Sequence, residues 1–263
     1  MKKLFLLLIT FMLILTGCSK ESDSKTSLEK IQDDGVMVVG YTNYPPLGFK
    51  DEKGEEVGLD LDLAKEVAKI LDVDVKFQYI DWDNKTFELN NQNIDMIWNG
   101  FTITEERKKE VTFGESYMDN ALVILSRSDD SITTISELEG KDVAVETQSS
   151  GQSALEKNDI YDKLKEMQKY TNIQDALLAL NAKTVDAVVA DVTFAGFTLA
   201  KDPDKYVISD ENFDSEYYAI GFRKDDDDSF KDAVDAAISQ LIESGVAKEI
   251  SEKWLGKDLI KRP

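Results

Sequence analysis

Arg107 is the residue whose type and position point most directly to chemistry. It is one of only four arginines beside 27 lysines, and it lies in the first turn of a helix predicted from residue 105, with Thr104 as the cap. A cation there faces the positive end of the helix dipole, which is unfavourable by about 0.3–1 kcal/mol. A bound carboxylate would reverse this, with contacts from the guanidinium, the Thr102 hydroxyl and free backbone N–H groups. The alternative is a surface ion pair with a neighbouring glutamate.

Other candidates lie where predicted strands give way to helices, the usual ligand-binding edge of an open α/β sheet. Asp191 follows the apolar strand end VVA, so its carboxylate could receive an ammonium group or could simply cap the next helix. Ser149 and Ser150 precede another predicted helix and either offer N–H groups to an anion or form a plain capping turn. Tyr44 and Trp82 adjoin strand ends and could flank the apolar part of a ligand, although aromatic side chains are often core.

Composition excludes several classes of function. With 52 acidic residues against 31 basic ones, the net charge is −21, so nucleic acid and anionic partners would be repelled. The chain contains no histidine, which excludes Ser-His-Asp and Cys-His catalysis and argues against a catalytic zinc site. We therefore expect no cofactor and no metal. The acidic run at residues 225 to 228 is interpreted as a solvated helix start.

The first 27 residues are predicted to lie outside the fold. Lys2 and Lys3 precede an apolar run over residues 4 to 15, which is far shorter than the ~20 residues that span a bilayer. The run ends in LTGC, which resembles the lipobox of bacterial lipoproteins. That resemblance implies a signal peptide over residues 1–17 and lipid attachment at Cys18, the only cysteine; the alternative is a buried free thiol. Residues 18–27 have the polar composition of a flexible tether.

The remaining chain alternates short β-branched runs with amphipathic helices, which predicts an α/β fold with mostly parallel strands. Two helices, over residues 230–243 and 246–254, finish the chain without a sheet of their own and must pack on an earlier unit. We therefore predict one lobe from residues 28–121 plus 217–263 and a second lobe from residues 122–216. Predicted strands cover residues 36–40, 73–80, 94–98, 121–125, 142–145, 185–190 and 217–222.

Several segments together resemble one protein family. The element ITxxR followed by FxxxY, within NIDMIWNGFTITEERKKEVTFGESY, is the most specific. Further support comes from VMVVGYTNYPPLGF, GLDLDLAKEVAKIL, GKDVAVETQSSG, VDAVVAD and YAIGFRKDD. Over residues 35 to 256 the chain resembles the family-3 extracellular solute-binding proteins of ABC transporters for polar amino acids. The resemblance implies a two-lobed, type II periplasmic-binding-protein-like fold in which two hinge strands connect the lobes.

The same resemblance implies the roles of the site residues. Arg107 and Thr102 would hold the α-carboxylate of an amino acid, with the backbone at Ser150 closing on it from the other lobe. Asp191 and the Gly100 carbonyl would take the α-ammonium group, and the two aromatic residues would flank the side chain. The full predicted ligand-binding set is Tyr44, Trp82, Asn99, Gly100, Thr102, Arg107, Ser149, Ser150 and Asp191.

Two positions depart from the family pattern near the ligand side chain. Tyr41 stands where many members for basic amino acids carry an acid, and Gln148 replaces the usual glycine. Without an acid at position 41, the sequence favours an uncharged polar side chain, such as that of glutamine or one half of cystine.

The expected partners are a free amino acid, a membrane permease and the membrane itself through the lipid, with the protein a monomer on the outer face. The lysine-over-arginine bias hints at an AT-rich genome and a Gram-positive cell surface, with the periplasm as the alternative. Three other functions are weighed. A dehydratase of the same fold would use Glu146 as general acid or base, and a ligand-sensing domain would normally continue into a membrane helix. A lytic transglycosylase would need a further catalytic domain.

Overall fold

The computed structural model describes residues 25–261, which form two five-stranded mixed sheets with helices packed against them. The strands are β1 (Val36–Tyr41), β2 (Phe49–Lys50), β3 (Glu56–Val57), β4 (Asp74–Tyr79), β5 (Met96–Ile97), β6 (Val111–Phe113), β7 (Met118–Arg127), β8 (Asp142–Glu146), β9 (Glu166–Tyr170), β10 (Ala187–Asp191), β11 (Tyr206–Tyr218) and β12 (Gly221–Arg223). The helices are α1 (Ser27–Asp34), α2 (Leu59–Leu71), α3 (Lys85–Asn90), α4 (Ser150–Lys157), α5 (Ile173–Asn181), α6 (Val192–Lys201), α7 (Ser229–Glu243) and α8 (Val246–Leu255).

The first sheet has the strand order β4-β1-β5-β12-β6. β1 runs parallel to β4 and β5, whereas β12 runs antiparallel to β5 and β6. Met37 and Val39 of β1 are fully buried, which explains the apolar run of this strand. α2 packs on α7 and α8, so the last two helices join the first sheet's unit.

The second sheet has the order β11-β7-β10-β8-β9. β8, β9 and β10 are parallel, and β7 pairs antiparallel with both β10 and β11. β7 and β11 are long strands of the second sheet whose paired ends reach the first sheet. They pair at Met118 and Tyr218, and Tyr218 also bridges to Thr102 beside the first sheet. The predicted lobe boundaries, at 121/122 and 216/217, fall within these strands and stay a prediction.

The chain enters the fold earlier than the sequence indicated. Thr26 caps α1 in a capping box with Glu29, and Ser27 is buried. The Ser27 backbone N–H donates to the Asp227 carboxylate at 2.7 Å, and its hydroxyl donates to the Asp227 carbonyl at 3.0 Å. The prediction that the tether extends to residue 27 is therefore wrong, because Ser27 belongs to α1 and is bonded to a residue 200 positions away. Cys18 and the leader lie outside the described residues.

Two other predicted elements differ in the structure. The helix predicted from residue 105 is a single 3-10 turn, Arg107–Lys109, because the chain re-enters the first sheet at Val111. The strand predicted over residues 217–222 is divided between the end of β11 and β12, which belong to different sheets. Within residues 25–261, no helix is both long and apolar enough to cross a bilayer.

Candidate functional site

A narrow cavity lies between the two sheets. It is lined by Thr42, Tyr44, Trp82, Asn99, Gly100, Thr102, Arg107, Glu146, Ser149, Ser150 and Asp191. All nine residues predicted from the sequence are in this set, and Thr42 and Glu146 are added. Residues more than 140 positions apart therefore meet at one place, at the edges where strands of both sheets end.

Arg107 extends from its 3-10 turn toward this cavity. Its Nη1 donates to the Thr102 carbonyl at 2.9 Å, and its Nη2 donates across the cleft to the Gln148 carbonyl at 3.2 Å. The guanidinium lies 4.7 Å from the centre of the Phe101 ring, a cation–π geometry. Arg107 is not part of any ion pair with Glu105, Glu106 or Glu110 among the described residues, so the surface-pair alternative is not what the geometry shows.

Asp191 ends β10, and its carboxylate does not cap α6. Instead it accepts short hydrogen bonds from the Tyr44 hydroxyl and from the Asn120 side-chain amide. Burial raises the pKa of Asp191, while these hydrogen bonds act in the opposite direction. The carboxylate is thus held at the cavity wall by residues of both sheets, where a cation could pair with it.

Thr102 and Ser150 approach each other from opposite sides of the cleft, with their hydroxyl oxygens 3.4 Å apart. Both hydroxyls donate to one oxygen of Glu216, at 3.1 Å and 3.2 Å. The Asn120 amide donates to the same oxygen at 2.9 Å. Burial, followed by the charge of Asp191, raises the pKa of Glu216 to about 7. A carboxylate of the protein itself therefore accepts from the Thr102 hydroxyl, a donor that the family resemblance assigns to a ligand carboxylate.

The loop after β5 is held in place by a buried acid. Gly100 adopts a φ of 61°, and its N–H donates to the Asp60 carboxylate at 2.7 Å. The Tyr117 hydroxyl donates to the other Asp60 oxygen at 2.8 Å. Asn99 accepts from the Thr42 N–H at 3.0 Å through its side-chain oxygen. These bonds set the orientation of the loop whose Gly100 carbonyl is predicted to accept an ammonium group.

The opposite rim is the start of α4. The Ser149 side chain accepts from the Gln152 N–H at 3.0 Å, so this hydroxyl does form a capping turn, while Ser150 faces Thr102. Gln148 adopts a φ of 57°, the left-handed conformation for which glycine is better suited. Its carbonyl accepts from Arg107 and, at 3.4 Å, from Lys85.

Glu146 and Lys85 are buried ionisable residues beside the cavity that the sequence did not place in a binding site. Glu146 ends β8 and is 3% exposed; burial, followed by the charge of Asp191, raises its pKa to about 8. Lys85 opens α3, and burial lowers its pKa to about 7. Its ammonium group donates to the Trp82 carbonyl at 2.9 Å and lies 4.9 Å from the Trp82 ring centre.

Comparison with known proteins identifies the family. Residues 36–257 match the sequence profile of the bacterial extracellular solute-binding proteins, family 3. The chain belongs to this family. It is 28% identical over 252 residues to the L-cystine-binding protein TcyJ of Escherichia coli, a match covering 94% of this chain and 93% of that protein. It is 31% identical over 277 aligned residues to the ABC transporter glutamine-binding protein GlnH of Bacillus subtilis, with coverage of 98% and 99%.

A solved structure shares the fold. A substrate-binding protein of an ABC uptake transporter from Streptococcus pneumoniae, crystallised with bound histidine, superposes with a TM-score of 0.85 at 32% identity. The match covers 89% of this chain and 97% of that chain. The fold is therefore the two-lobed type II periplasmic-binding-protein fold that the sequence predicted. The family consists of solute-binding proteins, so the dehydratase alternative with Glu146 as acid or base is set aside.

Proposed function

We propose that this protein captures a free polar amino acid in the cavity between its sheets and delivers it to the permease of an ABC transporter. The observation that carries the proposal is that Arg107 and Asp191 line the same cavity. Arg107 lies on the side of the first sheet and Asp191 on the side of the second. A zwitterion is costly to remove from water unless both of its charges find partners. This pair, with hydrogen-bonding groups beside each member, supplies them.

The proposed binding mode assigns one end of the ligand to each group. The α-carboxylate contacts the Arg107 guanidinium, the Thr102 hydroxyl and the backbone at Ser150, while the α-ammonium group contacts Asp191 and the Gly100 carbonyl. The side chain lies near the remaining wall, flanked by the aromatic residues, with Asn99 and Ser149 completing the lining. Because the partners are divided between the two sheets, the ligand favours closure of the cleft.

The nature of the ligand side chain is a separate matter. The relatives named above bind cystine, glutamine and histidine, so their names do not choose between uncharged and cationic side chains. The uncharged side chain favoured by the sequence stays a prediction, and titration decides it.

We further propose that the protein acts as a monomer on the outer face of the membrane, anchored by lipid on Cys18 after removal of residues 1–17. The leader sequence and the lipobox resemblance support this. A Gram-positive cell surface suits the composition, and a periplasmic location is the alternative. Mass spectrometry of the membrane fraction tests the anchor: a diacylglyceryl adduct on Cys18 is expected, and a free N-terminal Met would contradict it.

The test of the binding site is Arg107→Ala, followed by isothermal titration with the twenty amino acids and cystine. Losing the partner of a desolvated carboxylate typically weakens binding by about 2–5 kcal/mol, or roughly 30-fold to several thousand-fold. Lys108→Ala, in the same 3-10 turn but exposed, is the matched control and should bind like wild type. Unchanged affinity in Arg107→Ala would show that the site is misplaced.

A further inference from the structure

Glu146 has a buried oxygen that nothing in the described part of the chain satisfies. The residue ends β8, next to β10, which ends in Asp191, and it lines the cavity. Its side chain is almost fully buried, yet Oε1 has no hydrogen-bond partner within residues 25–261. About nine-tenths or more of buried polar groups in proteins have a partner. An unpaired carboxylate oxygen on a ligand cavity therefore calls for a donor from the ligand.

The nearby cations of the protein are already engaged elsewhere. Lys85 donates to the carbonyls of Trp82 and Gln148, at 2.9 Å and 3.4 Å. Arg107 donates to the carbonyls of Thr102 and Gln148 and is assigned to the ligand carboxylate. Both cations favour ionisation of Glu146 through space, but neither supplies a hydrogen to Oε1.

Among the described residues, the acids in and beside the cavity outnumber the cations: Glu146, Asp191 and Glu216 stand against Lys85 and Arg107. Burial, followed by the charge of Asp191, raises the pKa of Glu146 to about 8, so this carboxyl is mostly neutral near pH 7. A neutral ligand side chain offers no counter-charge for the ionised carboxylate. A side chain with one positive charge can pair with it, because an uncompensated charge in a closed site is costly.

We propose that Glu146 selects amino acids whose side chain carries a cation, either an ammonium or a guanidinium group. The proposal deepens the proposed function and rests on it. A ligand with a single ammonium group gives it to Asp191 and leaves Glu146 without a donor, whereas a second cationic group satisfies both carboxylates.

The structure also bears on the use of position 41 to predict the ligand side chain. Tyr41 is fully buried, its hydroxyl donates to Glu56 at 3.1 Å, and it is not among the residues that line the cavity. The cavity instead has an acid at the end of β8, Glu146, where many family members for basic amino acids carry one at the position of Tyr41 on β1. The uncharged-ligand prediction depends on Tyr41 alone and becomes the competing outcome of the test.

Isothermal titration with L-arginine, L-lysine, L-glutamine and L-cystine separates the two outcomes. We expect the wild-type protein to bind arginine or lysine at least about 30-fold more tightly than glutamine and cystine, as for a buried charge pair. Glu146→Gln should lose that preference and bind arginine or lysine no more tightly than glutamine. Glu249→Gln, an exposed change of the same chemistry on α8, should behave like wild type.

A second readout needs only the wild-type protein. Because burial and the charge of Asp191 keep the Glu146 carboxyl protonated near pH 7, pairing with a ligand cation should release a proton. Tyr44, Lys85 and Arg107 also face this carboxyl and would contribute only through their own pKa changes. Titrations of arginine in phosphate and in Tris at pH 7 should therefore differ by the buffer heat of about one proton.

The outcomes distinguish this proposal from the function on which it rests. Equal or tighter binding of glutamine or cystine, or arginine binding without proton release, overturns the role of Glu146 but leaves amino-acid capture standing. Failure of every amino acid to bind the wild-type protein overturns both.

Discussion

We predict that removing the negative charge of Glu216 tightens the binding of the ligand rather than weakening it. One Glu216 oxygen accepts from the hydroxyls of Thr102 and Ser150, and each hydroxyl has only one proton to donate. In the proposed binding mode the ligand carboxylate contacts the Thr102 hydroxyl and the backbone at Ser150, so it must replace Glu216 as the acceptor of the Thr102 hydrogen bond. It must also approach a second negative charge, and two unit charges ~4 Å apart repel by about 4 kcal/mol at an effective dielectric constant of 20.

The magnitude follows from these two effects. A hydrogen bond to a charged acceptor contributes about 1.5–3 kcal/mol and one to a neutral acceptor about 0.5–1.5 kcal/mol, so the contested Thr102 bond favours Glu216 over a glutamine by roughly 1 kcal/mol. The repulsion adds to this but is screened, because Glu216 is partly exposed. We expect Glu216→Gln to bind the amino acid about 5–150-fold more tightly than wild type, measured by isothermal titration at pH 8.5.

The pH dependence gives the prediction its own check. Since the pKa of Glu216 is raised to about 7, the wild-type side chain is charged at pH 8.5 and mostly neutral at pH 6. The advantage of Glu216→Gln should therefore shrink at pH 6. Asp214→Asn, an exposed residue of the same strand, controls for the change in net charge. Weaker binding in Glu216→Gln at pH 8.5 would show that Glu216 orients the two hydroxyls for the ligand rather than competing with it.

Two further predictions concern stability. Without added amino acid, the unfolding free energy should fall as pH rises from about 4.5 to 8. The reason is that Glu146, with a folded-state pKa of about 8, keeps a proton that the unfolded chain has lost. Thermal melting across this range should show the fall in stability, and Glu146→Gln should make it smaller. Ser27→Ala removes buried hydrogen bonds to Asp227 and should cost about 1 kcal/mol, or roughly 2–4 °C in melting temperature; unchanged melting would mean that the start of α1 is not held there.

The sequence was most informative where function depends on local position. Asp191 directly follows an apolar run, so its place at a strand end could be predicted without knowing its partners. Arg107 could be singled out because it completes the ITxxR motif, although it lies in a 3-10 turn and not in the predicted helix. The two sheets follow from the alternation of strands and helices for the same reason. What the sequence could not give was the partner of each group, since Tyr44 and Asp191 are 147 residues apart.

Glu216 shows a second kind of limit. It lies within β11, whose pairing with β7 shifts register between Ile208 and Asn212 and again between Asn212 and Ser215. A shift of one residue turns a side chain to the other face of a sheet, so alternation along the strand does not reveal which residues reach the cavity. Ser27 was misplaced for a related reason, because its polar surroundings resemble a linker until Asp227 is brought beside it.

The hydrogen bonds between Ser27 and Asp227 also limit how far from the membrane the folded protein could lie. If lipid is attached at Cys18, nine residues separate the bilayer from the first residue of α1, and an extended chain spans at most about 3.3–3.6 Å per residue. The attachment point of the folded protein is then confined to a layer roughly 30 Å deep. Its search for the permease then becomes a nearly two-dimensional one.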